Sequence, residues 1–180
     1  MSTLKFSSWQ DLNGNEVANS TYPPGLVHVK TQTIGTGVSS VTVTDAFSST
    51  FDNYRITING LGNFDSGDIT FALSGATTSY YGTMFYDSYT GSPSAAVRTS
   101  NGSSLPVCTA AASGNAVTFD VVEPNIARFT FIHGQAYSRG YYNHFGGFHA
   151  ATTAYTGFVI APSGSTLTGG TIRVYGYNNG

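Results

Sequence analysis

Residues 155–180 read YTGFVIAPSGSTLTGGTIRVYGYNNG, and this stretch decides the fold class. Its spacing predicts a strand over Gly157 to Ala161, a Pro/Gly/Ser connection, and a second strand over Thr171 to Tyr177. In the second strand Ile172 and Val174 share one face, while Thr171, Arg173, Tyr175 and Tyr177 share the other. Gly169 and Gly170 stand just before it, where a tight turn or bulge needs positive φ. A half-buried strand of this quality at the chain end is expected to pair inside a sheet and complete the fold.

The same period of two runs back through the chain. Val27, Val29, Thr31 and Thr33 alternate with His28, Lys30 and Gln32, and the run stops at Gly35-Thr36-Gly37. Val41 and Val43 lead toward Phe47. Tyr54, Ile56 and Ile58 alternate with Arg55, Thr57 and Asn59, and Ile69, Phe71 and Leu73 share a face after the loop at Gly60–Asn63. Later, Val117, Phe119 and Val121 are in phase, as are Ala127, Phe129 and Phe131. Glu123-Pro124-Asn125 makes a tight corner between these two runs. No ten-residue segment has a helical period with caps, and no repeat at a fixed spacing is visible. About eight to ten short strands with brief connections read as an all-β chain, either a two-sheet β-sandwich or a small barrel.

Two regions are irregular. Residues 79–115 begin with the aromatic run SYYGTMFYDSYTG and continue as GSPSAAVRTSNGSSLP, which reads as a long exposed excursion. Residues 134–154 are again aromatic and glycine-rich, with Phe145, Phe148 and His149 around Gly146-Gly147, as in a hairpin or a bulged strand. These regions hold Tyr80, Tyr81, Tyr86, Tyr89, Tyr137, Tyr141 and Tyr142, together with Tyr155. Tyrosine on loops offers flat, amphipathic contact area, so these rings suit a partner protein, a glycan, or the packing of a loop-rich end of the sandwich.

Residues 1–24 read as an extended N-terminal arm ahead of a β-sandwich domain over 25–180. Phe6, Trp9 and Tyr22 are isolated rings among polar residues, and Pro23-Pro24-Gly25 stops any ladder. Such an arm either docks those rings on a neighbouring subunit or folds back across its own domain.

Composition narrows the function classes. Apolar residues make up 40% of the chain, enough for a core, while charged residues are only 9% and the net charge is −2. A surface built from Ser, Thr, Asn, Gly and Tyr can stand beside other protein without charge repulsion. The scattered Lys and Arg argue against nucleic-acid binding. No stretch approaches the length of a membrane span. MSTLKFSSWQDLNG lacks the apolar region of a signal peptide, so synthesis in a cytoplasm is expected.

Chemical signatures are sparse. His144 and His149 in HFGGFH are the best metal candidates: an odd step of five puts them on opposite faces of one straight strand, a hairpin over Gly146-Gly147 would bring them together, and no third carboxylate or cysteine is near in sequence. Asp65, Asp68, Asp87, Asp120 and Glu123 lie near loops without a catalytic motif; Asp65 to Asp68 is turn chemistry, and Asp120 sits on the polar face of its strand. No G-x-S-x-G, P-loop or dinucleotide fingerprint occurs, so no cofactor site is expected. Cys108, the lone cysteine, reads as a small buried hydrophobe. The reading is therefore of a protein that is not an enzyme.

Two blocks carry a resemblance. GGTIRVYGYNNG at the end, and GLVHVKTQTIGTGVSSVTVTDAFSSTFDNYRITING from Gly25 to Gly60, resemble small virion structural proteins of tailed bacteriophages, especially those of cyanobacterial and marine phages. The resemblance implies a jelly-roll-like sandwich and a place on the outer virion. With the low charge and the apolar arm, it leads to an expected role as a capsid decoration protein or part of a fibre or tail attachment. The expected partners are its own copies in a homotrimer, anchored through Phe6, Trp9 and Tyr22, and other virion proteins. The alternative is a receptor-binding module for host surface glycan, using the tyrosines above.

Overall fold

The computed structural model describes residues 25–62, 67–89, 91, 94–109, 114–138 and 140–178, and the backbone of 8–10 and 16–19. It is all-β. The strands are β1 (Ser8–Gln10), β2 (Glu16–Asn19), β3 (Gly25–Thr33), β4 (Val41–Val43), β5 (Asn53–Leu61), β6 (Asp68–Leu73) and β7 (Tyr80–Ser88). They continue with β8 (Ala95–Gly102), β9 (Leu105–Thr109), β10 (Asn115–Val122), β11 (Thr130–Ser138), β12 (Tyr141–His149), β13 (Phe158–Pro162) and β14 (Thr171–Asn178). No helix among the described residues is long and apolar enough to cross a membrane.

Two antiparallel sheets form a β-sandwich. The large sheet has the order β3-β14-β5-β10-β11-β12-β7-β8, and the small one β4-β13-β6-β9. With β3, β14 and the β11–β12 hairpin set aside, the remaining strands cross between sheets as a jelly roll does. β4 pairs through β13 to β6 and β9 in one sheet, and β5 pairs with β10 in the other, which β7 and β8 close. The hairpin is inserted between β10 and β7, and β3 with β14 extends the opposite edge. β14 lies inside the sheet as expected, with Ile172 opposite Ile58 and Val174 opposite Ile56. The turn before it has Gly169 at φ 70° and Gly170 at φ 96°, which only glycine adopts without strain. Within 1–24, β1 pairs with β2, Trp9 opposite Ala18; Phe6, Tyr22 and the side chain of Trp9 lie outside the described residues.

The inward phases meet in one core. Tyr54, Ile56, Ile58, Phe119, Val121, Phe145, Ile172 and Val174 come from the large sheet, and Val43, Ile69, Phe71, Leu73, Leu105, Val107, Phe158 and Ile160 from the small one. Buried polar tips are satisfied locally: the Leu73 amide donates to the Tyr80 hydroxyl at 2.6 Å, and the Tyr54 hydroxyl donates to the Ser48 carbonyl at 2.8 Å. Cys108 is fully buried, and burial pushes its thiol up to about 12, far from thiolate chemistry.

Three expectations need correction. The stretch from Gly91 to Pro106 is not a long excursion; it contains β8 and the start of β9. β8 is an edge strand of small residues, held by backbone pairing to β7, so it lacks the apolar rhythm of a core strand. Gly146 and Gly147 do not bend the chain, because both lie inside the continuous strand β12. Finally, in β11 it is Ile132 that faces the core, while Phe131 and the preceding Phe129 stay 48% and 43% exposed.

The glycines of β12 serve a close approach. Gly147 pairs with Gly82 of β7, and Leu105 of β9 presses into the notch that the two leave. A Cβ at Gly147 would stand 2.4 Å from the Tyr81 carbonyl oxygen and 2.9 Å from Leu105 Cδ1. Gly147→Val should therefore cost about 1–3 kcal/mol of stability through backbone displacement. Urea unfolding of the variant checks this, and a midpoint equal to wild type would contradict the notch.

Candidate functional site

The large sheet has two faces, and only one meets the small sheet. Its outer face carries the alternate residues of each strand, and among the described residues no second sheet covers it. The register sets its residues in rows. Arg55, Asp120 and His133 stand opposite one another on β5, β10 and β11. One step along, Thr118, Gln135 and His144 form the next row, and beyond it Ala116, Tyr137 and Tyr142. On the other side, Asn53 and Val122 lead to Phe131, Phe148 and Tyr81.

At the centre is a fixed polar cluster. Arg55 donates from Nε to Asp120 Oδ1 at 2.9 Å and from Nη2 to Oδ2 at 2.8 Å, a two-pronged pair. The Tyr177 hydroxyl of β14 donates to Asp120 Oδ1 at 2.8 Å, and the Arg55 guanidinium lies 5.4 Å from the centre of the Tyr177 ring. Burial alone would raise the Asp120 carboxyl. The hydrogen bonds from Arg55 and Tyr177, with the nearby positive charge, outweigh it and hold the group below its ordinary range. Burial and the same carboxylate push the Tyr177 phenol up to about 12.

This pair sets a pH dependence. A carboxyl with a depressed native pKa stabilises the fold above its unfolded value, near 4, and that contribution disappears as pH falls through the native value. The Arg55 side chain is 37% exposed, so solvent screening limits the pair to about 1 kcal/mol or less. Asp120→Asn should lower stability by that amount at neutral pH, with variant and wild type converging in acid. Denaturant midpoints measured across the pH range check it; a constant difference at every pH would contradict it.

Shallow cavities follow β10 and β11 along this face. One of about 310 Å³ is lined by Arg55, Thr118, Asp120, His133, Gln135 and His144. A second, about 220 Å³, shares Asp120 and His133 with it and reaches Asn53, Val122 and Tyr177. A third, about 180 Å³, shares Thr118 and Gln135 and reaches Tyr137 and Tyr142. Together they form one groove. Beside it, Phe148 stacks with Tyr81 at 5.5 Å and Phe129 at 6.0 Å between ring centres, and lies 6.2 Å from Phe131. On the outer face Phe129 and Phe131 are exposed, while Phe148 and Tyr81 are half-buried.

The tyrosines singled out from the sequence do not gather in one place. Tyr81, Tyr137 and Tyr142 are on the outer face, with Tyr137 directly opposite Tyr142 and both 52% exposed. Tyr89 is exposed in the turn after β7. Tyr86 and Tyr141 pack edge to face at 5.9 Å on the inner side, Tyr86 against the core. Tyr80 is fully buried and cannot serve as a contact residue, because its ring packs at 4.6 Å from His149 inside the sandwich. Tyr155 is buried as well.

His144 and His149 face opposite sides, as the odd spacing requires. His149 is buried, within 3.1 Å of the Thr78 carbonyl oxygen, and desolvation holds its imidazole below the ordinary value. No group of three His, Cys, Asp or Glu with metal-holding geometry occurs among the described residues. Arg55, His133, Gln135, Phe129, Phe131, Phe148 and Tyr177 were not marked as site residues by their sequence context. The available signal was the polar phase of each strand, which places Arg55 and Asp120 outward without showing that they meet.

No protein-family model matches the chain, and no curated protein matches it. Among solved structures, the VP2 subviral particle of infectious bursal disease virus aligns with 84% of this chain and 42% of its own, at 11% identity and a TM-score of 0.13. The chain thus spans less than half the length of that protein. Similarity at this level carries no functional argument.

Proposed function

We propose that this chain is a non-enzymatic virion structural protein of a tailed bacteriophage, decorating the head exterior or forming part of a fibre or tail attachment. The observation that supports this reading most is the outer face of the large sheet, which no second sheet covers among the described residues, with Phe129 and Phe131 exposed around the half-buried rings of Phe148 and Tyr81. Clustered exposed rings on a surface this poor in charge mark a protein contact, since they gain by leaving water and meet no charge repulsion. The reading includes a symmetric homo-oligomer, a trimer, with the arm at 1–24 as a second attachment. It also fits the resemblance of the Gly25–Gly60 and C-terminal blocks to phage virion proteins. The one carboxylate lining the groove among the described residues is tied up by Arg55 and Tyr177 and kept ionised, a poor proton donor.

Antibody labelling of phage particles, imaged by electron microscopy, tests the assignment. Label over the head makes it a decoration protein and label at the tail an attachment protein; unlabelled particles would end the virion reading. A second reading, a glycan-binding module, is favoured by the polar groove beside the aromatic cluster.

A further inference from the structure

We propose that the groove along β10 and β11 binds a neutral polysaccharide chain, a site that rests on the second reading above. The geometry has the three parts such a ligand requires. The first is length: from Ala116 to Val122 the groove follows β10 for about 20 Å, enough for several linked sugar rings. The second is flat apolar surface. Tyr137 and Tyr142, opposite each other at one end, offer half-exposed rings against which the C–H face of a sugar can pack.

The third is a floor of fixed donors and acceptors. Tyr142 donates its hydroxyl to Gln135 Oε1 at 2.9 Å, which orients the ring and leaves the Gln135 amide NH2 for a ligand. Asp120 is held rigid by Arg55 and Tyr177 and retains lone pairs for a sugar hydroxyl. His133 and His144 line the groove without a hydrogen bond to other described residues, and each imidazole both donates and accepts. Planar side chains that offer paired donors and acceptors match vicinal hydroxyls.

Charge selects the class of glycan. Arg55 is neutralised by Asp120, and no other Lys or Arg lines the three cavities. With that one ion pair balanced internally, the groove has no free Lys or Arg to hold an acidic polysaccharide. A neutral chain needs none. A protein segment is the competing occupant, and it would be expected on the aromatic cluster around Phe148.

The test is titration calorimetry of the full chain with cello-, chito-, malto- and manno-oligosaccharides, and with oligogalacturonate as the acidic control. At least one neutral series should bind with a Kd of about 1 mM or tighter, and the acidic series should not. Tyr142→Ala and the double variant His133→Ala/His144→Ala should each weaken binding about tenfold or more. Gln135→Ala, an exposed change with no core contact, serves where either of those loses its native circular dichroism. Phe148→Ala should leave glycan affinity unchanged. Absence of binding by every neutral series, binding of the acidic series alone, or equal affinity in the groove variants would overturn the proposal. None of these results bears on particle labelling, so the virion reading and the glycan site fail separately.

Discussion

Phe71→Ala should destabilise the protein by about 3–5 kcal/mol, a large part of the total stability of an ordinary domain. Phe71 is fully buried at the middle of β6, and its ring packs at 5.3 Å from Phe119 and 5.5 Å from Phe158. The contact with Phe119 of the large sheet joins the two sheets directly, and the one with Phe158 ties β6 to β13 within the small sheet. Phe158 in turn stacks on Phe47 at 5.6 Å, and Phe119 meets Phe145 edge to face at 5.9 Å. Removing the ring therefore leaves a cavity lined by other rigid rings, which cannot collapse into it. Phe71→Leu keeps most of the volume and should cost markedly less. Guanidinium unfolding of the two variants measures the difference; equal and small losses would mean that the sheets are joined elsewhere.

Phe148→Asp should dissociate the proposed oligomer, weakening self-association about thirtyfold or more, the scale of a central hot spot. Phe148 is the ring on which Tyr81, Phe129 and Phe131 converge, so a carboxylate there places an unpaired charge in the middle of the contact. On the isolated protomer the effect should be small, because the cluster lies on the solvent side of the sheet. Sedimentation equilibrium of wild type and variant reads the change directly. If wild type sediments as a monomer, or if Phe148→Asp leaves the oligomer intact, the aromatic cluster is not the self-association surface.

The groove and the aromatic cluster have one origin in the sequence. Both lie on the phase of each strand that alternates with the core phase. For β5, Tyr54, Ile56 and Ile58 are plainly apolar against Arg55, Thr57 and Asn59, so the inward face was readable from the residues. For β11 the two phases are both apolar at one end: Phe129 and Phe131 against Ile132. Periodicity fixes the alternation, but it does not say which phase is buried when rings occur on each. The outcome depends on the partner strands, where Val121 opposite Ile132, and Phe119 and Phe145 on either side of Gly134, all belong to the core.

Edge strands posed the opposite problem. β8 is built mainly from small and polar residues, because backbone pairing with β7 holds it and Val97 packs against the core, so its apolar signal is weak. Tyr80 misled for a related reason. Its neighbours Tyr81 and Gly82 resemble a loop, while Gly82 opposite Gly147 is there to admit Leu105.

What the sequence by itself determined was local. Alternation in β5, β6, β10 and β14 set an all-β chain, the Gly169-Gly170 turn and the burial of Cys108. These follow from strand geometry, which each residue obeys through its immediate neighbours. Only the tertiary structure decided which strands lie side by side. Arg55 and Asp120, sixty-five positions apart, meet Tyr177 because β10 and β14 flank β5 in the large sheet. The candidate site is a property of that order, because hydrogen bonding between strands depends on backbone groups that every sequence shares.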